Sequence, residues 1–64
     1  MDAERGGVRA SNAERELVVE RLGRAFARGR LSLDEYDERV AAAYAAVHRE
    51  ELARLTQDLP GRLW

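Results

Sequence analysis

The pattern Ser-x-x-Glu occurs twice in this chain, as Ser11-Asn12-Ala13-Glu14 and as Ser32-Leu33-Asp34-Glu35. Each copy opens an apolar repeat of helical period. A serine at the helix N-cap and a glutamate three positions on satisfy each other's backbone donors, so each copy marks a helix start. Gly29 stands three residues ahead of the second start, where a helix can end in the left-handed conformation. Two starts and one such stop in a chain of 64 residues prescribe a helix, a tight turn and a second helix. No alternating run competes for a strand, and the fold class is all-α.

From the first start, Val18, Leu22, Ala25 and Phe26 recur at helical spacing, with Val19 at the margin, and predict a helix over 12–28. Leu31 and Tyr36 hold the staple positions that set the angle of the turn. Leu33, Tyr36, Val40, Ala43, Tyr44 and Val47 trace one face of a second helix over 33–47. Leu52, Leu55 and Leu59 lie on one side of a third over 49–58, which Pro60-Gly61 ends. The organisation that follows is a flexible leader over 1–10, a helical domain over 11–60 and a tail over 61–64. It is a small three-helix module, a helical hairpin plus a short third helix. Phe26, Tyr36, Tyr44 and the leucines are expected to form most of a thin core. At this length a core rarely supplies more than about 3–5 kcal/mol, and a homodimer would enlarge it.

The 11 basic residues, all arginine, meet 12 acidic ones for a net charge of −1. That balance argues against a general phosphate-binding surface, which gains affinity by releasing counterions from a basic excess. No cysteine is present to build a disulfide framework or a thiolate zinc site. No apolar run approaches the ~20 residues of a membrane span, and the first ten residues lack a signal-peptide core. A cytoplasmic chain is expected, placed at the inner membrane face where a membrane segment is fused to it.

Four carboxylates crowd positions 34–38, namely Asp34, Glu35, Asp37 and Glu38. They resemble a metal or proton site only in number. The alternating ligands, central glycine and distal glutamate of a calcium loop are missing. Carboxylates in a first helical turn suit the positive end of the helix dipole, and Glu35 closes the capping box while facing Arg39 four residues on. The single histidine, His48, has Tyr44, Ala45 and Leu52 at i−4, i−3 and i+4 and a lone carboxylate, Glu51, at i+3, and it falls where the third helix needs a cap. No nucleophile-and-base set or glycine-rich phosphate loop can be assembled, so the chain reads as a non-enzyme with no cofactor and no metal.

Arg21, Arg24 and Arg28 share the outer side of the first helix, with Arg30 following in the turn. This is the one concentrated basic patch. Leu17 lies off the apolar stripe, and Gly23 sits mid-helix on a side expected to face water, at a cost of about 1 kcal/mol against alanine. With Leu63 and Trp64 at the tail, these residues outline a possible contact surface.

The run from Arg9 to Pro60, and GRLSLDEYDERV at its centre above all, resembles the actinobacterial SHOCT-like family known as domain of unknown function 1707. The resemblance implies a short helical module, usually at the N-terminus of longer proteins and often followed by membrane-spanning segments. Related SHOCT modules imply oligomerisation or protein interaction, and no catalytic residue comes with the family. Leu17 stands where the family more often has a charged residue, and His48 where it usually has threonine. A chain that stops at Trp64 is either a standalone member or a part of one, and any membrane attachment would come through a segment absent from it.

The expectation is therefore a non-catalytic module that self-associates or docks a protein partner through Leu17, Arg21, Arg24, Arg28, Leu63 and Trp64. Its frame is set by Ser11, Gly29, Ser32 and Glu35. The alternative is a helix-turn-helix-like nucleic-acid-binding domain. The acidic first turn of the second helix, where a recognition helix would present base-contacting residues, speaks against it.

Overall fold

The computed structural model describes residues 7–60. Three helices follow one another, α1 (Asn12–Ala27), α2 (Leu33–Ala45) and α3 (Arg49–Arg54). Both capping boxes are formed. The Ser11 hydroxyl accepts from the Glu14 N–H at 3.0 Å, and a Glu14 carboxylate oxygen accepts from the Ser11 N–H at 2.9 Å. Ser32 and Glu35 repeat the arrangement at 3.1 and 2.8 Å. Gly29 ends α1 with φ +79°, and the Arg30 and Gly29 N–H groups donate to the carbonyls of Ala25 and Phe26 at 2.9 and 3.0 Å. Those two bonds satisfy carbonyls that the helix end would orphan, and the chain turns straight into α2.

Two helices end earlier than the apolar spacing predicts, each for a local reason. The Ala46 N–H reaches back only three residues, to Ala43, and Ala46 itself is extended. Val47 to Arg49 are thereby free to pair with residues 8–10, so α2 stops at Ala45 instead of 47. After Arg54 the N–H groups of Leu55 and Thr56 likewise bond three residues back, and the chain winds on as turns to 58. Thr56, Gln57 and Asp58 include two weak helix formers, so α3 covers six residues rather than ten.

The N-terminal segment also departs from the leader expected over 1–10. The Ala10 N–H donates to the Val47 carbonyl and the Arg49 N–H to the Val8 carbonyl, both at 2.8 Å. This short antiparallel bridge is centred on Arg9 and His48. Ala10 joins the core.

That core is built from alanines, leucines and one valine. Ala25, Ala43 and Leu22 are fully buried, joined by Val18, Leu31, Ala46, Leu52 and Leu59. Alanines at the crossing let α1 and α2 approach closely, and they displace the aromatic residues expected there. Phe26 is 40% exposed and Tyr44 57% exposed, while Tyr36 is half-buried at the core's edge. The reason is angular. Neighbouring helical residues point about 100° apart. With Ala43 facing α1, Tyr44 and Leu33 point well round the side of α2. The apolar stripe is wider than the contact it supplies.

Candidate functional site

The hairpin of α1 and α2 has two flanks. The first is closed by α3, by the turn after it and by residues 8–10. Arginines placed on or beside the apolar stripes tie it together. Arg15 of α1 donates from Nε to the Ala46 carbonyl at the end of α2 at 3.0 Å. Arg39 of α2 holds Asp58 with two parallel bonds of 2.8 and 3.0 Å and also reaches the Leu55 carbonyl at 3.1 Å. The expected Glu35–Arg39 pairing gives way to this contact. Glu35 is occupied at the Ser32 cap, and Arg39 sits four residues before Ala43, on the side facing α3. Arg49 pairs with Glu14 at 3.0 Å. Arginine 15 and 39 fall within or next to the stripe positions of their helices, which is the sequence signal for such ties: a long stem lies over apolar surface while its head reaches a distant carbonyl.

The carboxylates on this flank are held below their ordinary range. Glu14 is lowered first by the bond from the Ser11 N–H and then by Arg49. Asp58 is lowered by the Arg39 bonds. Glu51 is lowered by the N–H groups of His48 and Val47, which donate to one of its oxygens at 2.8 and 2.6 Å. His48 is the N-cap residue of α3, but its imidazole makes no cap bond, so the capping there comes from Glu51 alone.

The second flank is uncovered. Phe26 and Tyr36 stack across the hairpin with ring centroids 5.0 Å apart and planes 22° from parallel. Beside them stand Leu33 and Tyr44, each more than half exposed, with Val19 and Val40 half-buried beneath. A broad open groove runs over α1 between Leu17 and the two tyrosines of α2. Val19, Glu20 and Gly23 lie along it, and Glu16 and Arg24 line it as well. Gly23 is half-buried in this groove rather than facing open water, and a methyl group placed on it would meet nothing within 4 Å.

Of the residues singled out in the sequence, Leu17 is 47% exposed and forms a ridge between this groove and a smaller hollow toward α3. The arginine row is divided by that ridge. Arg24 lines the groove, half-buried Arg21 lines the hollow, and Arg28 caps the end of α1. Leu63 and Trp64 lie outside the described residues. The aromatic members of the open flank carry a helical-period signal in the sequence, which predicts core positions for them. Their displacement by Ala43 and Ala46 is visible only once the helices are in contact.

Among the described residues no group of three or more His, Asp or Glu side chains could hold a metal ion. No helix among them is long and apolar enough to cross a membrane. Asp34, Glu35, Asp37 and Glu38 are all exposed at the start of α2. That helix therefore offers carboxylates, not donors, at the end a nucleic-acid reader would insert.

The chain is similar to the uncharacterised protein Rv0966c of Mycobacterium tuberculosis strain H37Rv, at 47% identity over 53 residues. It matches the uncharacterised protein MT0994 of strain CDC 1551 equally well. The match covers 83% of this chain and 26% of each relative, so the chain spans about a quarter of the length of the curated relatives it matches. No solved structure gives a significant match. The family model of the DUF1707 SHOCT-like domain matches residues 8–60, beginning at the Val8 whose carbonyl bonds α3, and the chain belongs to that family.

Proposed function

We propose that the chain is a non-catalytic protein-interaction module whose working surface is the open flank of the α1–α2 hairpin. One observation carries this reading. Phe26, Leu33 and Tyr44 stand exposed on one flank of the hairpin, while the core is made of alanines, leucines and one valine with no aromatic residue fully inside it. Scattered exposed apolar residues are ordinary on any protein, but a connected set with an aromatic stack marks a contact surface. Aromatic residues also dominate the binding energy of interfaces where they can be buried.

The test is a photoreactive phenylalanine analogue placed at Tyr44 or, as a control, at Ala42, in the full-length protein inside its host. Ala42 is exposed and points roughly 160° away round α2. A discrete polypeptide adduct from position 44 and none from position 42 is the expected result. Equal labelling at both positions, or none at either, would overturn the reading.

A further inference from the structure

We infer that the partner docked on the open flank is a basic amphipathic helix of another protein, its apolar stripe seated between α1 and α2 and flanked on both borders by arginine or lysine. This rests on the reading of the flank as an interaction surface and adds the chemistry of the partner.

Two rows of side chains form the walls of a trough. Val19, Gly23 and Phe26 follow one another along α1, and Leu33, Val40 and Tyr44 along α2, each at helical spacing. From Leu33 to Tyr44 the trough runs about 16 Å, or about three turns of helix. A trough of this length between two helices accepts the apolar face of a third. Gly23 keeps one wall low midway, with open space above it for a large side chain of the occupant. An extended peptide gains little here, because strand addition needs unpaired backbone groups and both walls are helices.

The charge on the borders selects the partner. Glu16 and Glu20 line the groove on α1. Asp37 follows Leu33 by four residues and precedes Tyr44 by seven, so it stands on their side of α2. All three carboxylates are exposed and make no ion pair with another described residue. The nearby arginines are engaged or turned away. Arg15 donates to Asn12 and to the Ala46 carbonyl at 2.9 and 3.0 Å. Arg39 is held by Asp58 on the closed flank, and Arg30 lies past the end of the trough, in the turn. Arg24 projects about 160° from Phe26 round α1. The Phe26–Tyr36 and Arg15–Ala46 contacts put Asp37 abreast of positions 24–25 and Glu16 abreast of 45–46. These two carboxylates therefore stand on opposite walls, toward opposite ends. A helix lying between them meets negative charge on both borders of its buried stripe, and positive charge there steers and orients it. The same carboxylates repel the phosphates of nucleic acid and of anionic lipid.

Random peptides of about 14 residues, long enough to fill the trough as a helix, are displayed on phage and selected on the immobilised full-length protein. Those that fail to bind its Y44D variant are sequenced. They should carry apolar residues at helical spacing with arginine or lysine on both sides of that stripe. A synthetic peptide of this kind should bind E16R/D37R about tenfold or more weakly, and should bind the unsubstituted protein more weakly as salt rises. The same peptide with glutamate for its arginines and lysines should prefer E16R/D37R. Glu16 and Asp37 are exposed, so helicity by circular dichroism should be unchanged and weaker binding is not loss of fold. In the host, the peptide joined to photoreactive position 44 is sequenced by mass spectrometry, and it should be a segment of another protein with the same pattern.

Neutral or acidic selected peptides overturn the basic-helix proposal, as does binding indifferent to E16R/D37R. So does an adduct at position 44 that lies elsewhere in the same chain or in a second copy of it. The two readings separate cleanly. Binders that need Tyr44 but carry the wrong charge leave the interaction surface standing and remove the basic partner. No binder that needs Tyr44 and no adduct in the host remove both.

Discussion

The two flanks of the hairpin are built from different materials. The closed flank joins α1 and α2 to α3 and residues 8–10 through alanines, two leucines, a pair of backbone hydrogen bonds and three arginines with distant partners. The open flank carries larger apolar side chains, among them Phe26 and Tyr36, which stack across the two helices. Directional bonds and small buried residues thus gather on one side, and uncovered apolar area on the other. A domain of this size has little stability to spare. Apolar residues left outside its core are therefore poorly explained by folding, and they are well placed for an interface.

The sharpest way to break that division is to truncate one large residue on each side. Leu22 is the largest side chain that is fully buried. Leu22→Ala should cost about 2–5 kcal/mol, comparable to the whole stability of so small a domain, and leave the chain largely unfolded. Tyr44→Ala, measured at low protein concentration, should change stability by no more than about 0.5 kcal/mol. Urea denaturation followed by circular dichroism compares them directly. Similar losses from the two substitutions would mean that the open flank is part of the folding core after all.

Two glycines give a smaller effect of opposite sign. Gly29 holds φ +79° at the end of α1, a conformation in which an L side chain is strained. Gly29→Ala should therefore destabilise by about 1–2 kcal/mol. Gly23 has ordinary helical backbone and space for a methyl group, so Gly23→Ala should stabilise the monomer by about 0.4–1 kcal/mol. The same methyl protrudes into the open groove. Thermal denaturation at low concentration checks the stability change. A more stable chain would show that the groove over Gly23 is open space, whereas a loss of stability would show that Gly23 is needed for packing.

Much of the frame was legible in the sequence because capping is local. Ser11, Glu14, Gly29, Ser32 and Glu35 act within three residues of themselves or at a single backbone torsion, and all five do what their spacing implies. The division of the apolar residues between core and surface was not legible. It depends on which of several adjacent stripe positions meets the other helix, and alanines at 25, 43 and 46 win the closest contact over the aromatic residues beside them. The bridge between residues 8–10 and 47–49 was hidden for a related reason: two backbone bonds between segments far apart in the chain need no side-chain pattern. Arg39 shows the same limit. A partner four residues away was evident in the sequence, and the partner it takes, Asp58, depends on where the turn after α3 comes to rest.

Acid should act on the closed flank, and with the gentlest effect of the set. Glu14, Glu51 and Asp58 all lie there, and each is lowered from its ordinary value by donors and cations that the fold supplies. A carboxylate with a lowered pKa binds fewer protons in the folded state than in the unfolded chain, so stability rises with pH wherever the unfolded chain is the more protonated. The contribution of each group is complete above its unfolded pKa, near 4, and is lost as the pH falls through the lower folded value. The thermal midpoint should therefore be level from about pH 7 to about pH 5 and decline below about pH 4. Glu51 and Asp58 are exposed and Glu14 is half-buried, so the decline should be modest, and added salt should weaken the parts that involve Arg39 and Arg49. Glu51→Gln keeps an oxygen acceptor for the His48 and Val47 N–H groups but removes the charge. It should lower the midpoint at neutral pH and converge on the unsubstituted protein in acid, because the cap there is already neutral. A midpoint unchanged to pH 3, or a Glu51→Gln deficit that persists in acid, would show that these carboxylates act as uncharged acceptors. The closed flank would then owe its stability to packing and backbone pairing alone.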